Sequence, residues 1–204
     1  MAGAIVWPEG GQDSLLFVPE FAPLDPSLSA MAGLSDEPAF RSERSPSFAV
    51  YRLPPWPAEK FSPVEHTFVD EQQEPMLQLV SVVAAEPEPE AVRLATGWHV
   101  QGRLPDDLAI FIHLVDQNGN IVAQFDGLDA AATTLRPGDL FLQAHVLPLP
   151  DDLPAGNYRL RLGLYSRGDG RRWSTDQGEN VLELAQCKQN DGLSSPVCRL
   201  TEPP

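Results

Sequence analysis

From Val92 to Gln101, apolar and polar residues alternate. Val92, Leu94, Trp98 and Val100 fall on one face, and Arg93, His99 and Gln101 on the other. Successive side chains of an extended chain point to opposite sides, so this pattern predicts a half-buried β-strand. Asn157 to Ser166 repeats it, with Tyr158, Leu160, Leu162 and Leu164 inward and Arg159 and Arg161 outward. Leu108 to Val115 is apolar on both faces, which predicts a strand inside a sheet. Met76 to Val83, Ile121 to Phe125, Leu140 to Leu147 and Asn180 to Ala185 complete a set of about seven short strands. The segments between them carry turn chemistry. Ala84 to Glu90 is acidic and broken by proline, and Asn118-Gly119 supplies the positive φ that a hairpin turn needs. Pro137-Gly138 and Gly168-Asp-Gly170 also mark turns. The predicted fold class for residues 76–186 is therefore all-β, an immunoglobulin-like antiparallel β-sandwich. Trp98 is expected at the centre of its core. Tyr158 follows the tight turn Pro154-Ala-Gly156 at the start of a strand. That is the setting of a tyrosine corner, in which the phenol hydroxyl bonds back to upstream backbone.

Residues 1–75 read differently. They form an irregular N-terminal extension with brief apolar runs and no core of its own. Ile5-Val6-Trp7, Leu15 to Val18 and Phe48 to Arg52 predict short strands, and Pro8 to Gly11 a turn. Pro26 to Gly33 predicts one short helix, with Asp25 as its cap and Pro26 at its first position. Glu59 to Pro75 reads as a linker or a strap over the main domain, and residues 187–204 as a tail.

Composition narrows the function. The 21 prolines, spread over the whole of the 204 residues, favour short elements and many turns. The formal net charge of -15, with the bases scattered, argues against a nucleic-acid partner and against adhesion to an anionic membrane surface. No window approaches the roughly 18 apolar residues of a membrane helix. Met1 to Gly11 lacks the basic and apolar regions of a secretory signal, so a cytoplasmic location is the plain expectation. Cys187 and Cys198 flank a segment that can turn back. A disulfide between them is allowed in an oxidising compartment and free thiols in a reducing one.

Candidate chemistry is sparse. The four histidines, His66, His99, His113 and His145, form no HxH or HExxH pair, so no metal or other cofactor is expected. Nucleophile-elbow and phosphate-loop motifs are lacking. Asp116, Asp126 and Asp129 cluster about one hairpin, where acids usually form turns. No catalytic constellation is evident, and the chain alone is expected not to be an enzyme. A binding face is the better candidate. Alternation places His99, Phe111, His113, Arg159, Arg161 and Tyr165 on one outer surface, where aromatic and planar polar groups could meet sugar rings. The competing expectation is that the N-terminal extension or a neighbouring domain covers this face.

The stretch from Trp98 to Tyr165 resembles a known module. The residues are Trp98, Phe111-Ile-His113-Leu-Val-Asp116-Gln-Asn-Gly119, Val122-Ala-Gln124-Phe-Asp126 and Pro137-Gly138-Asp139, followed by the run from Leu147 through Pro154-Ala-Gly156-Asn-Tyr158 to Tyr165. Together they resemble the C-terminal extracytoplasmic β-sandwich of bacterial polytopic glycosyltransferases of the dolichyl-phosphate-mannose protein mannosyltransferase-like class. Leu16-Phe-Val-Pro19, Ala22-Pro-Leu-Asp-Pro26 and Phe48-Ala-Val-Tyr51-Arg-Leu53 resemble the stretch that leads into that module. One position departs: members often carry Trp where this chain has Leu135. The resemblance implies a location outside the cytoplasm and a non-catalytic role beside a membrane glycosyltransferase, whose catalytic acids lie in its membrane-proximal part. The alternative is an independent carbohydrate-binding or protein-interaction module.

Overall fold

The computed structural model describes residues 3–10, 14–42, 44–84, 90–190 and 196–201. Parts of three expected turns, at Gly11, residues 85–89 and residues 191–195, lie outside these. The chain is built from three antiparallel sheets. The largest contains β1 (Ala4–Trp7), β5 (Ser62–Val69), β6 (Pro75–Ala84), β7 (Ala91–Val100), β10 (Leu140–Pro148) and β12 (Ser174–Thr175). Its order is β1-β10-β7-β6-β5-β12. The second contains β8 (Leu108–Val115), β9 (Ile121–Gly127), β11 (Gly156–Ser166), β13 (Leu182–Gln189) and β14 (Val197–Leu200), in the order β14-β13-β11-β8-β9. The third is small: β2 (Leu15–Pro19), β3 (Phe40–Ser42) and β4 (Phe48–Arg52), with β4 central.

The two larger sheets share one apolar core. Phe68, Leu77, Leu79, Trp98 and Phe141 from the first meet Ile110, Ile112, Leu114, Leu160, Leu162 and Leu164 from the second. Trp98 is fully buried, with the rings of Phe68 and Phe141 about it at 6.1 and 6.2 Å. The expected alternation of β7 and β11 holds, because each strand presents its apolar residues to this core and the opposite set away from it. Tyr158 donates its hydroxyl to the carbonyl of Pro154 at 2.7 Å, the bond of a tyrosine corner.

Polar residues also enter the core in strand phase. On β10, Gln143 and His145 lie between Phe141 and Leu147 with the same period, and both are fully buried. Gln143 accepts from the amide of Asp129 and donates to the carbonyl of Gly127, so it ties the segment after β9 to β10. Trp98 Nε1 donates to Thr96 Oγ1 at 2.6 Å, and Thr96 Oγ1 lies 2.7 Å from His145 Nε2. Thr96 Oγ1 thus bridges the indole N–H and the imidazole, and which of Thr96 and His145 donates in the second bond follows the imidazole tautomer.

Several expectations need correction. Residues 62–69 are not part of a linker: β5 is a full partner of β6, and Phe68 belongs to the central core. Residues 187–190 and 196–201, expected in a tail, belong to the second sheet: β13 runs on to Gln189 and β14 pairs with it, opposing Cys187 to Cys198 in a disulfide. The N-terminal extension has no separate core but shares one with the outer face of the six-stranded sheet. Leu28, Ala32, Leu53 and Phe61 pack on Ile5, Trp7, Ala95, Leu142 and Ala144, which are outward-facing residues of β1, β7 and β10. The six-stranded sheet is therefore covered on both faces, and its outer cover is the N-terminal layer. The strand total rises above the expected seven because this layer and the C-terminal segment each contribute strands.

The helix α1 (Pro26–Ala32) forms as its sequence predicts. Asp25 Oδ1 accepts from the amide of Ser27 at 2.8 Å, Pro26 occupies the first turn, and Gly33 closes it with φ 69°. Asp25 also faces Arg93 Nη1 at 3.5 Å, which fixes the helix over the outer face of β7.

Candidate functional site

The outer face of the five-stranded sheet carries most of the residues singled out from the sequence. Register places Phe111 between Gly163 and Asp126, and His113 between Arg161 and Gln124. Gly163 has no side chain, and Phe111 uses the space: a Cβ there would come within 2.4 Å of the Phe111 ring. The ring therefore lies flat on the sheet and is only 2% exposed although it points away from the core. Arg172 stacks its guanidinium 4.8 Å above it. Tyr165 and His113 flank the ring at 6.3 and 4.7 Å. Phe111, His113, Arg161 and Tyr165 are thus brought together on one surface.

His99 is not with them. It lies on β7, opposite Leu140 and Gln78 in the six-stranded sheet. The two sheets turn their outer faces in opposite directions, so His99 and His113 point away from each other. Alternation assigns a residue to a face of its own strand but does not say which strands share a sheet.

His113 Nε2 lies 3.5 Å from Asp126 Oδ1, too far for a good hydrogen bond. Burial holds the imidazole below its ordinary range against the pull of Asp126, and Arg172 adds to the lowering. His145 is pushed down to about 3 by burial alone. Asp116 is a turn former: it accepts from the amides of Asn118 and Asn120 and from Asn120 Nδ2, and these bonds lower its pKa. Asp129 is raised by burial. Among the described residues no group of three or more His, Cys, Asp or Glu side chains could hold a metal ion.

Two further surfaces escaped the sequence reading. One is a cleft of about 590 Å³ at the end of the two large sheets, where the turn 70–74, the loop 103–106 and residues 171–174 meet. The other is the free face of the three-stranded sheet. Phe17 pairs with Val50 and Val50 with Phe40, so alternation puts Leu15, Phe17, Phe40, Phe48 and Val50 on one side. Phe48 contacts Phe17 at 4.4 Å and Phe40 at 6.0 Å between ring centroids. Leu15, Phe17 and Phe40 are 63%, 56% and 56% exposed, and neighbouring Phe21 is 83% exposed. Runs of a few apolar residues predict the strands but not that this side stays uncovered.

No protein-family model matches the chain, and no curated protein matches it either. No described helix is long and apolar enough to cross a membrane.

Proposed function

We propose that the chain is a non-catalytic accessory module, an immunoglobulin-like β-sandwich with a docking layer, that serves as the extracytoplasmic companion of a membrane glycosyltransferase. The observation that carries this reading is the aromatic face of the three-stranded sheet. A cluster of exposed Phe and Leu on paired strands marks an interaction surface, since soluble monomers rarely leave such groups together in water. The face is built from Leu15–Pro19 and Phe48–Arg52, the same segments whose sequence resembles the stretch between the membrane part and the sandwich. Its occupant is therefore the membrane part of the transferase. Register puts Arg52 on the aromatic side, opposite Leu15, and the three strands themselves carry no acid in a chain of net charge -15. The disulfide between Cys187 and Cys198 agrees with a location outside the cytoplasm.

Photo-crosslinking from Phe40 in the native cell tests the proposal. A benzophenone amino acid at that position should yield adducts with a polytopic glycosyltransferase, or with apolar helices encoded in frame upstream of Met1. Adducts confined to water-soluble proteins would make it an independent interaction module, and no adduct at all would remove the docking face.

A further inference from the structure

We infer that the cleft at the end of the two large sheets is a binding site for a neutral saccharide. Its construction is specific. The segment from Arg171 to Thr175 crosses from one sheet to the other: the amide of Trp173 bonds the carbonyl of Leu164 on β11, and Ser174 and Thr175 then pair with Val69 and Phe68 on β5. This crossover forms one wall. The second wall is the turn after β5, where Asp70 Oδ1 accepts from the amides of Gln72 and Glu74. Gln73 in that turn holds φ 64°, a left-handed conformation that a residue with a side chain adopts rarely and at a cost. The third wall begins at Gly102, which approaches β6 so closely that a Cβ would come within 2.5 Å of Met76 Sδ and 2.9 Å of the Pro75 carbonyl. A preformed cleft of this kind loses little freedom when it is filled. Its volume of about 590 Å³ lies in the usual range for small-molecule sites.

The lining chooses the ligand. Trp173 and Leu104 are buried and supply an apolar floor. Arg103 brings a guanidinium group and Asp106 a carboxylate, while the Arg172 guanidinium is turned onto the Phe111 ring. Arg171 is engaged with Glu71 and Asp169. A guanidinium only donates hydrogen bonds and a carboxylate only accepts them. An anion would be drawn to Arg103 and repelled by Asp106, and a cation the reverse. A hydroxyl does both, so a polyhydroxylated, uncharged ligand satisfies both kinds of group. The C–H face of a sugar ring suits the apolar floor. This inference stands apart from the docking proposal, since cleft and aromatic face share no residue.

The test is a titration of the isotope-labelled chain, followed by the backbone amide signals. The probes are neutral oligosaccharides of glucose, mannose, galactose, xylose and N-acetylglucosamine, with inorganic phosphate and glucuronate as charged controls. At least one neutral saccharide should shift the amides of Gly102 to Asp107 and Arg171 to Ser174 in a saturable way at millimolar concentration, with the same affinity in low and high salt. Arg103→Ala and Asp106→Ala should each weaken that binding roughly tenfold. Both side chains are exposed, so neither change should disturb the fold, and unchanged signals elsewhere verify this. Three results would overturn the inference: no neutral saccharide moves these amides, a charged control binds more tightly in a salt-dependent way, or both variants bind like the parent chain.

Discussion

Acidification should weaken the fold through His145 in particular. The imidazole is fully buried between the large sheets, with Thr96 at Nε2, the Phe125 ring edge-on at 4.8 Å, and no hydrogen-bond partner at Nδ1 among the described residues. Burial lowers its pKa from 6.5 to about 3. A group whose folded pKa is depressed binds its proton more readily when the chain is unfolded. The stability it contributes is complete above 6.5 and is lost as pH falls from there towards 3. Between about pH 7 and about pH 5 the native imidazole stays neutral while the unfolded one charges, and the linkage integral is about 2 kcal/mol. That figure hardly depends on the native value, provided it lies well below 5. His113, also lowered, acts in the same direction, and Asp129, raised by burial, acts in the opposite one. The measurement must therefore be a difference of differences. Urea unfolding of the parent chain and of His145→Gln, whose amide can donate to or accept from Thr96, should be compared at both pH values. The parent should lose about 2 kcal/mol more than the variant on acidification. Parallel losses, within about 0.5 kcal/mol, would refute the burial of a neutral imidazole at this position.

Other perturbations address single contacts. Trp98→Ala should cost about 3–5 kcal/mol, because a fully buried indole leaves a cavity and frees the Thr96 hydroxyl, and a retained melting temperature would contradict its central placement. Tyr158→Phe removes only the bond to the Pro154 carbonyl and should lower the urea midpoint by the equivalent of about 1 kcal/mol. Gly163→Ala should destabilise by about 1–3 kcal/mol, since its Cβ would meet the Phe111 ring at 2.4 Å and the Asn180 carbonyl at 2.8 Å, and an unchanged unfolding curve would disprove the flat seat of Phe111. Reducing the Cys187–Cys198 bond, which spans 11 residues, should remove about 2–3 kcal/mol by loop entropy, read as a shift between unfolding curves with and without dithiothreitol.

Much of the fold was legible in the residue pattern. Period-two alternation marked β7 and β11 and their inward faces, the proline and aspartate before Ser27 marked the helix, and Pro154 to Tyr158 marked the corner. These are local properties: a strand's pleat, a helix cap and a turn are set within a few residues of chain. Other features were visible only in part. Gln143 and His145 continue the phase of Phe141 and Leu147, yet polarity alone argues for the opposite face. Only the tertiary structure showed that Thr96, Asp129 and Gly127 supply the partners that let them be buried.

The sequence by itself determined that this is an all-β chain with a Trp-centred core, and it turned Phe111 and His113 to one side of their strand and Arg161 and Tyr165 to one side of theirs. Tertiary structure alone decided which strands share a sheet. Pairing of β10 with β7 and of β8 with β11 separates His99 from His113, although both point outward from their strands. It also decided that the N-terminal layer covers one sheet while turning its own aromatics outward, and that loops distant in sequence close around a cleft. The reason is physical. Side-chain periodicity is a property of one strand, whereas sheet membership, coverage and clefts depend on contacts between segments far apart in the chain.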